Sequence, residues 1–202
     1  MPIDRNDPAA RGTRSRGPCH LYVLPCAGED LLKVGFSRDP LSRMQQLHSR
    51  WFEFFDLDRA LSVETESVPD ARKLELQQRR LLEAHNAPAP LTVREDAGGK
   101  REWFRGAYES LAGTALALRD AGHVVHAPLR GWLRHALEQR ADLLFSWTTA
   151  MLDLDALAEA DRWVAPPTHR TVRDGLDAYD ALGIDLAPWL PPPVLAWYVR
   201  LR

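Results

Sequence analysis

The sequence predicts an α/β protein: a small three-stranded antiparallel sheet flanked by helices, followed by a mainly α-helical C-terminal region. Three observations carry this. Two short apolar runs, residues 20–24 and 31–36, lie either side of a Gly-containing connector, as in a β-hairpin. Two later segments open on Pro and continue with apolar residues at helical spacing. After Pro128 the apolar residues again recur every three to four positions. With 202 residues, 45% of them hydrophobic and 27% charged, the chain is long enough to bury a core. Gly 12 and Pro 15 are too few for a fibrous or low-complexity chain. Nothing approaches the roughly 18–20 apolar residues of a membrane span, so no membrane partner is expected.

Taken in order, residues 1–18 read as a flexible N-terminal arm, rich in Pro, Gly, Asn and Asp with Arg5, Arg11, Arg14 and Arg16. If the hairpin turn centres between Ala27 and Gly28, Tyr22 faces Lys33 and Leu24 faces Leu31. Ser37, Asp39 and Pro40 form a helix start, and Leu41, Met44, Leu47 and His48 form its apolar stripe, with Arg43 at the border. Leu57, Leu61 and Val63 alternate in a third strand near 57–64. Val68-Pro69-Asp70 opens a second helix with an inner stripe of Ala71, Leu74, Gln78, Leu81, Leu82 and His85. Residues 88–100 are a polar loop. Trp103 and Phe104 read as core anchors ahead of a helix near 108–121. The expected organisation is therefore an arm at 1–18, a sheet-containing domain at 19–106 and a helical accessory region at 107–202.

Residues 129–164 carry Trp132, Leu133, Leu137, Leu143, Leu144, Trp147, Met151, Leu154 and Leu157, a wide apolar face. That face is buried on the first domain, within its own bundle, or on a protein partner. Residues 107–202 carry an excess of acidic side chains, which makes them a poor grip for nucleic acid. Pro191-Pro192-Pro193 redirects the chain or forms a short docking segment. Cys19 and Cys26 match no zinc-knuckle spacing, and two free thiols suit a cytoplasmic protein. No secretory signal pattern opens the chain.

The ordered set His20-Leu21-Tyr22, Lys33-Val34-Gly35, Arg43 and Glu75, closed by Glu102-Trp103-Phe104, resembles the GIY-YIG nuclease family. It is most similar to the branch with a Lys-Ile/Val-Gly second motif and a terminal Glu-Trp-Phe. The resemblance covers residues 19–106. Two positions depart from the pattern: His20 stands at the first motif's Gly, and Lys33 at the second motif's Tyr. The resemblance implies a metal-dependent endonuclease that hydrolyses phosphodiester bonds in nucleic acid, DNA foremost. Tyr22 would be the general base. A phenol, with a pKa of about 10, needs a nearby cation for that task, and Lys33 across the hairpin would supply it. Arg43 would hold the scissile phosphate bidentately. Glu75 would hold one Mg²⁺ or Mn²⁺ ion.

Gly35, Arg38, Arg72 and Lys73 are the expected substrate-binding residues, Gly35 by keeping the strand surface open. Arg50, Arg79 and Arg80 are similar phosphate candidates. Each has a plainer reading: a half-buried strand tyrosine, a solvated basic helix face, or a Glu75–Arg79 pair worth about 0.3 kcal/mol. Glu102 is placed to hydrogen-bond a neighbouring motif residue that the sequence leaves unnamed. The alternative function is a non-catalytic nucleic-acid-binding or protein-interaction module on the same scaffold. Cys19, His20 and Cys26 lack a fourth zinc ligand, and His123 and His126 lack a carboxylate in register.

Overall fold

The computed structural model describes residues 16–93, 99, 101–155, 157 and 166–200. Most of the expected arm, much of the 88–100 loop and Trp163 lie outside the described residues. The chain divides into two compact units: residues 1–48 with 53–129, and residues 49–52 with 130–202. The first unit thus continues past residue 106 to Leu129, because the helix after Trp103-Phe104 packs on the sheet.

In the first unit the elements are β1 (Arg16–Pro25), β2 (Leu32–Ser37), α1 (Pro40–Leu47), β3 (Leu61–Ser67), α3 (Val68–Leu81), β4 (Asn86–Ala87), β5 (Trp103–Phe104), α4 (Tyr108–Asp120) and β6 (Val125–His126). A four-residue helix, α2 (Trp51–Phe54), runs from the second unit into the first. The sheet has six strands, not three, in the order β4-β5-β2-β1-β3-β6, and every pairing is antiparallel. The central trio β2-β1-β3 is the sheet that alternation predicts. The three added strands are two residues each, below the length at which a period of two is readable.

The turn differs from expectation. The Cys26 amide donates to the Leu31 carbonyl at 2.8 Å, and Gly28 takes φ 75° inside the loop they close. The loop is therefore two residues longer than a tight turn, and the register moves by two: Tyr22 faces Gly35, and Leu24 faces Lys33. Strand β3 also begins late. The Asp58 and Arg59 amides donate to the Asp56 carboxylate at 3.1 Å each, and the Ala60 amide donates to the Asp56 carbonyl at 2.8 Å. That Asx turn occupies the start of the expected strand.

Both helix starts follow their capping chemistry. The Asp39 carboxylate accepts from the Ser42 amide at 3.1 Å, with Pro40 in the first turn. Ser67 caps α3 through the Asp70 amide at 3.3 Å. The buried positions of α3 are Ala71, Glu75 and Gln78, whereas Leu81 and His85 of the expected stripe are exposed. One face of the sheet, with Leu21, Val23, Val34, Val63 and Phe104, packs on Leu111 and Ala115 of α4.

The second unit contains α5 (Arg130–Glu138), α6 (Leu144–Met151), α7 (Pro167–Ala181) and α8 (Pro192–Arg200). Helices α6 and α7 pack together, with Gly175 against the Trp147 ring. Leu133, Leu137, Leu144, Val172, Leu176 and Trp197 are buried, while Leu143 lies exposed. Arg50, a phosphate candidate from the sequence, is paired within this unit. Its Nη1 donates to Asp174 at 2.9 Å and to Asp177 at 2.8 Å, and Tyr198 Oη donates to Asp177 at 2.9 Å. Among the described residues, no helix is long and apolar enough to cross a membrane.

Phe104 is 1% exposed and anchors a two-residue strand to the core. Phe104→Ala is expected to cost about 3–5 kcal/mol, read as a lower midpoint in urea unfolding.

Candidate active site

Directly opposed residues share a face of a sheet, and each strand repeats with a period of two. Three rows therefore cross the face opposite α4. One row is Trp103, Lys33 and Leu24; the next is Gly35, Tyr22, Ser62 and His126; the third is Ser37, His20 and Glu64. This face carries polar and ionisable groups where the other carries Leu and Val.

Tyr22 is 1% exposed, and its ring lies over Gly35. A Cβ on residue 35 would stand 2.5 Å from the Tyr22 oxygen, closer than real Cβ contacts come. Gly35 thus makes room for the phenol. The Arg43 guanidinium, projecting from α1, hydrogen-bonds that hydroxyl. Burial pushes the Tyr22 phenol up to about 12; the positive charge of Arg43 and its hydrogen bond pull the other way. Arg43 is thus a cation that acts on the phenol. Arg43 also donates to Gln46 at 3.3 Å.

Lys33 is fully buried, and its Nζ meets Glu102 Oε2 at 2.7 Å. The ammonium also lies 5.2 Å from the Trp103 ring centroid. Burial lowers the Lys33 pKa, and the hydrogen bond and charge of Glu102 oppose that shift. Glu102 is the partner that the terminal Glu-Trp-Phe segment supplies. A Cβ at Gly99 would collide with its carboxylate, and Gly99 sits at φ 70°, so a side chain there is excluded twice.

Glu75 is buried at the middle of α3. Its Oε1 accepts from Arg79 at 3.2 Å, the i,i+4 pair foreseen as its plainer reading. Burial raises its pKa, Arg79 lowers it, Glu102 raises it further and Lys33 lowers it. Tyr22 feels the charges of Arg43, Glu102 and Glu75, Lys33 those of Glu102, Arg43 and Glu75, and Glu75 those of Arg79, Glu102 and Lys33. The inward aim of Glu75 has a readable signal: Ala71, Glu75, Gln78 and Leu82 fall at i, i+4, i+7 and i+11.

Not every expected residue joins them. Arg38 is exposed beyond the end of β2. Arg72 and Lys73 are exposed on the outer side of α3, where Arg72, Lys73, Leu76 and Arg80 line a shallow groove. Cys19 lies within β1 and Cys26 just beyond its end, and among the described residues neither joins His20 in a cluster of possible metal ligands. Burial raises both thiols, Cys26 to about 12.

Buried Tyr22 and Lys33 on one face of the antiparallel sheet, with buried Glu75 and half-buried Arg43 brought by two helices, make up the candidate site. Residues 20–119, just under half of the chain, match the family model of the T5orf172 domain, a domain of GIY-YIG-like, nuclease-associated fold. No curated protein and no solved structure matches the chain.

Glu102→Ala strips the carboxylate from a buried ammonium and is expected to cost about 3–5 kcal/mol in urea unfolding. Lys33→Met in the same background removes the stranded charge and is expected to restore most of that loss. If the two losses simply add, the pair is not the determinant of this core.

Proposed function

We propose that the first unit is a metal-dependent nuclease that hydrolyses phosphodiester bonds in nucleic acid, DNA foremost. This reading includes the GIY-YIG branch with Lys-Val-Gly as second motif. The observation that supports it is the gathering of Tyr22, Arg43, Lys33 and Glu75 from two strands and two helices into one charged neighbourhood.

Arg43 holds the scissile phosphate with its planar fork while its positive charge eases ionisation of the Tyr22 phenol. Tyrosinate then takes a proton from the water that attacks phosphorus, and the P–O bond to the leaving group breaks in line. Lys33, tied to Glu102, adds positive charge to the site. Glu75 suits one Mg²⁺ or Mn²⁺ ion: it is a buried carboxylate held above its ordinary pKa by desolvation, the condition a cation relieves. When bound, such an ion supplies charge stabilisation to the phosphate oxygens.

The second reading, a non-catalytic nucleic-acid-binding module, is favoured by one observation: Tyr22 and Lys33 are 1% and 0% exposed. Plasmid nicking with Mg²⁺ or Mn²⁺ separates the two. Under the nuclease reading, chelator, Tyr22→Phe and Glu75→Gln each abolish cleavage. Salt-sensitive binding with no cleavage under any metal would instead establish the binding module.

The pH profile follows from the phenol. The working form is deprotonated and the group sits at about 12, so kcat/KM is expected to rise about tenfold per pH unit from pH 7 to 9 without a plateau. A flat profile in that interval removes Tyr22 as the base.

A further inference from the structure

We propose that His20, Glu64 and His126 form a binding site for one zinc-class divalent cation, held between three strands beside Tyr22. The site uses none of the residues assigned to the nuclease reaction and stands whether or not that reaction occurs. Strand pairing builds it. His20 on β1 lies directly opposite Glu64 on β3, and His126 on β6 lies opposite Ser62, one pleat along the same face. One donor atom from each of the three residues lies within 4.8 Å of the other two. Glu64 Oε1 and His126 Nε2 are already 2.7 Å apart, and the two imidazole rings are 6.2 Å apart.

The donor set has a chemical preference. Two imidazole nitrogens and one carboxylate oxygen suit Zn²⁺ and its first-row neighbours, whereas Mg²⁺ and Ca²⁺ favour all-oxygen sites. Zinc ligand distances of about 2.0–2.1 Å place tetrahedral donors roughly 3.3 Å from one another. Rotation of the half-buried His126 and Glu64 side chains closes the remaining gap. His20 is 7% exposed and held by the strand centre.

Two further features converge here. Ser62 Oγ is buried and, among the described residues, has no hydrogen-bond partner. It lies on the same face, opposite both Tyr22 and His126, as a ready partner for a metal-bound water in the fourth position. The carboxylate strand is itself fixed to the segment bearing His126. The Glu64 amide donates to the Val124 carbonyl at 2.9 Å, and His123 Nδ1 lies 3.2 Å from the Glu64 carbonyl. A cation would therefore clip the two-residue strand β6 to the sheet centre. His20, which departs from the glycine of the resembled motif, gains a function by this arrangement.

The test is calorimetric titration of the tag-free, metal-stripped full chain with ZnCl₂, paired with thermal unfolding. One equivalent of Zn²⁺ is expected to bind with micromolar or tighter affinity and to raise Tm, while Mg²⁺ does not compete. His126→Gln and Glu64→Gln, both at half-buried positions where folding is checked by circular dichroism, are each expected to weaken binding at least about tenfold. Glu75→Gln is expected to bind Zn²⁺ as the wild type does, which separates this ion from the one proposed for hydrolysis. Absence of stoichiometric binding to the wild type overturns the proposal. So does undiminished binding to both His126→Gln and Glu64→Gln, or loss of binding in Glu75→Gln alone.

Discussion

The space left above Gly35 is the constraint on which the polar face depends. The phenol of Tyr22 lies where a side chain at 35 would stand. With the ring in that position its hydroxyl meets Arg43 from α1. The length of the hairpin loop sets the pairing that brings Tyr22 and Gly35 together, so a turn closed by Cys26 and Leu31 determines an encounter several residues away. Backbone geometry, more than any single ionic contact, decides what the phenol touches.

Lys33 is the costly element of this arrangement. A fully buried ammonium is tolerated because Glu102 and the Trp103 ring both face it. The resembled motif's terminal Glu-Trp-Phe thus works as a unit. Glu102 neutralises the lysine, Trp103 lies beside it, and Phe104 turns to the opposite face and enters the core. The same two-residue strand therefore ties the charged side of the sheet to its apolar side. Its shortness suits an edge position, where a longer exposed edge would invite pairing with another chain.

Much of the central sheet was legible in the sequence because its strands alternate over five or more residues and its helices open on capping residues followed by proline. The predicted register was wrong by two, since composition does not reveal that the loop runs through residues 27–30. A slip of two keeps each residue on its face, so Tyr22 and Lys33 remained neighbours; a slip of one would have parted them. Asp56 delayed β3 through a side-chain turn that alternation does not register. Glu75 entered through the resemblance alone, since the expected stripe of its helix held Leu74, Leu81 and His85 in its place, although its spacing from Ala71 and Gln78 carried the signal. Glu64 could not be joined to His20 and His126, because 44 residues separate His20 from Glu64 and the pairing lies in the fold. The pairing of Arg50 with Asp174 and Asp177, far along the chain, was equally beyond the reach of local spacing.

The charges around Tyr22 also bear on what the face attracts. Three cations, Lys33, Arg43 and Arg79, stand against two carboxylates, Glu75 and Glu102, with the phenol neutral at pH 7. Lys33 is fully buried while Arg43 and Arg79 are half-buried, so these charges are partly withdrawn from water and an anion beside them is favoured. Tyrosinate and a phosphate oxygen are the two anions that the reaction would bring there. The same excess that discourages further cations near Lys33 therefore eases ionisation of the phenol. The divalent ion proposed for hydrolysis would sit on the Glu75 side, where the carboxylate already carries the cost of its own burial. On this argument Arg43 is the residue that couples the two events, since it touches the hydroxyl and is the fork best shaped for phosphate.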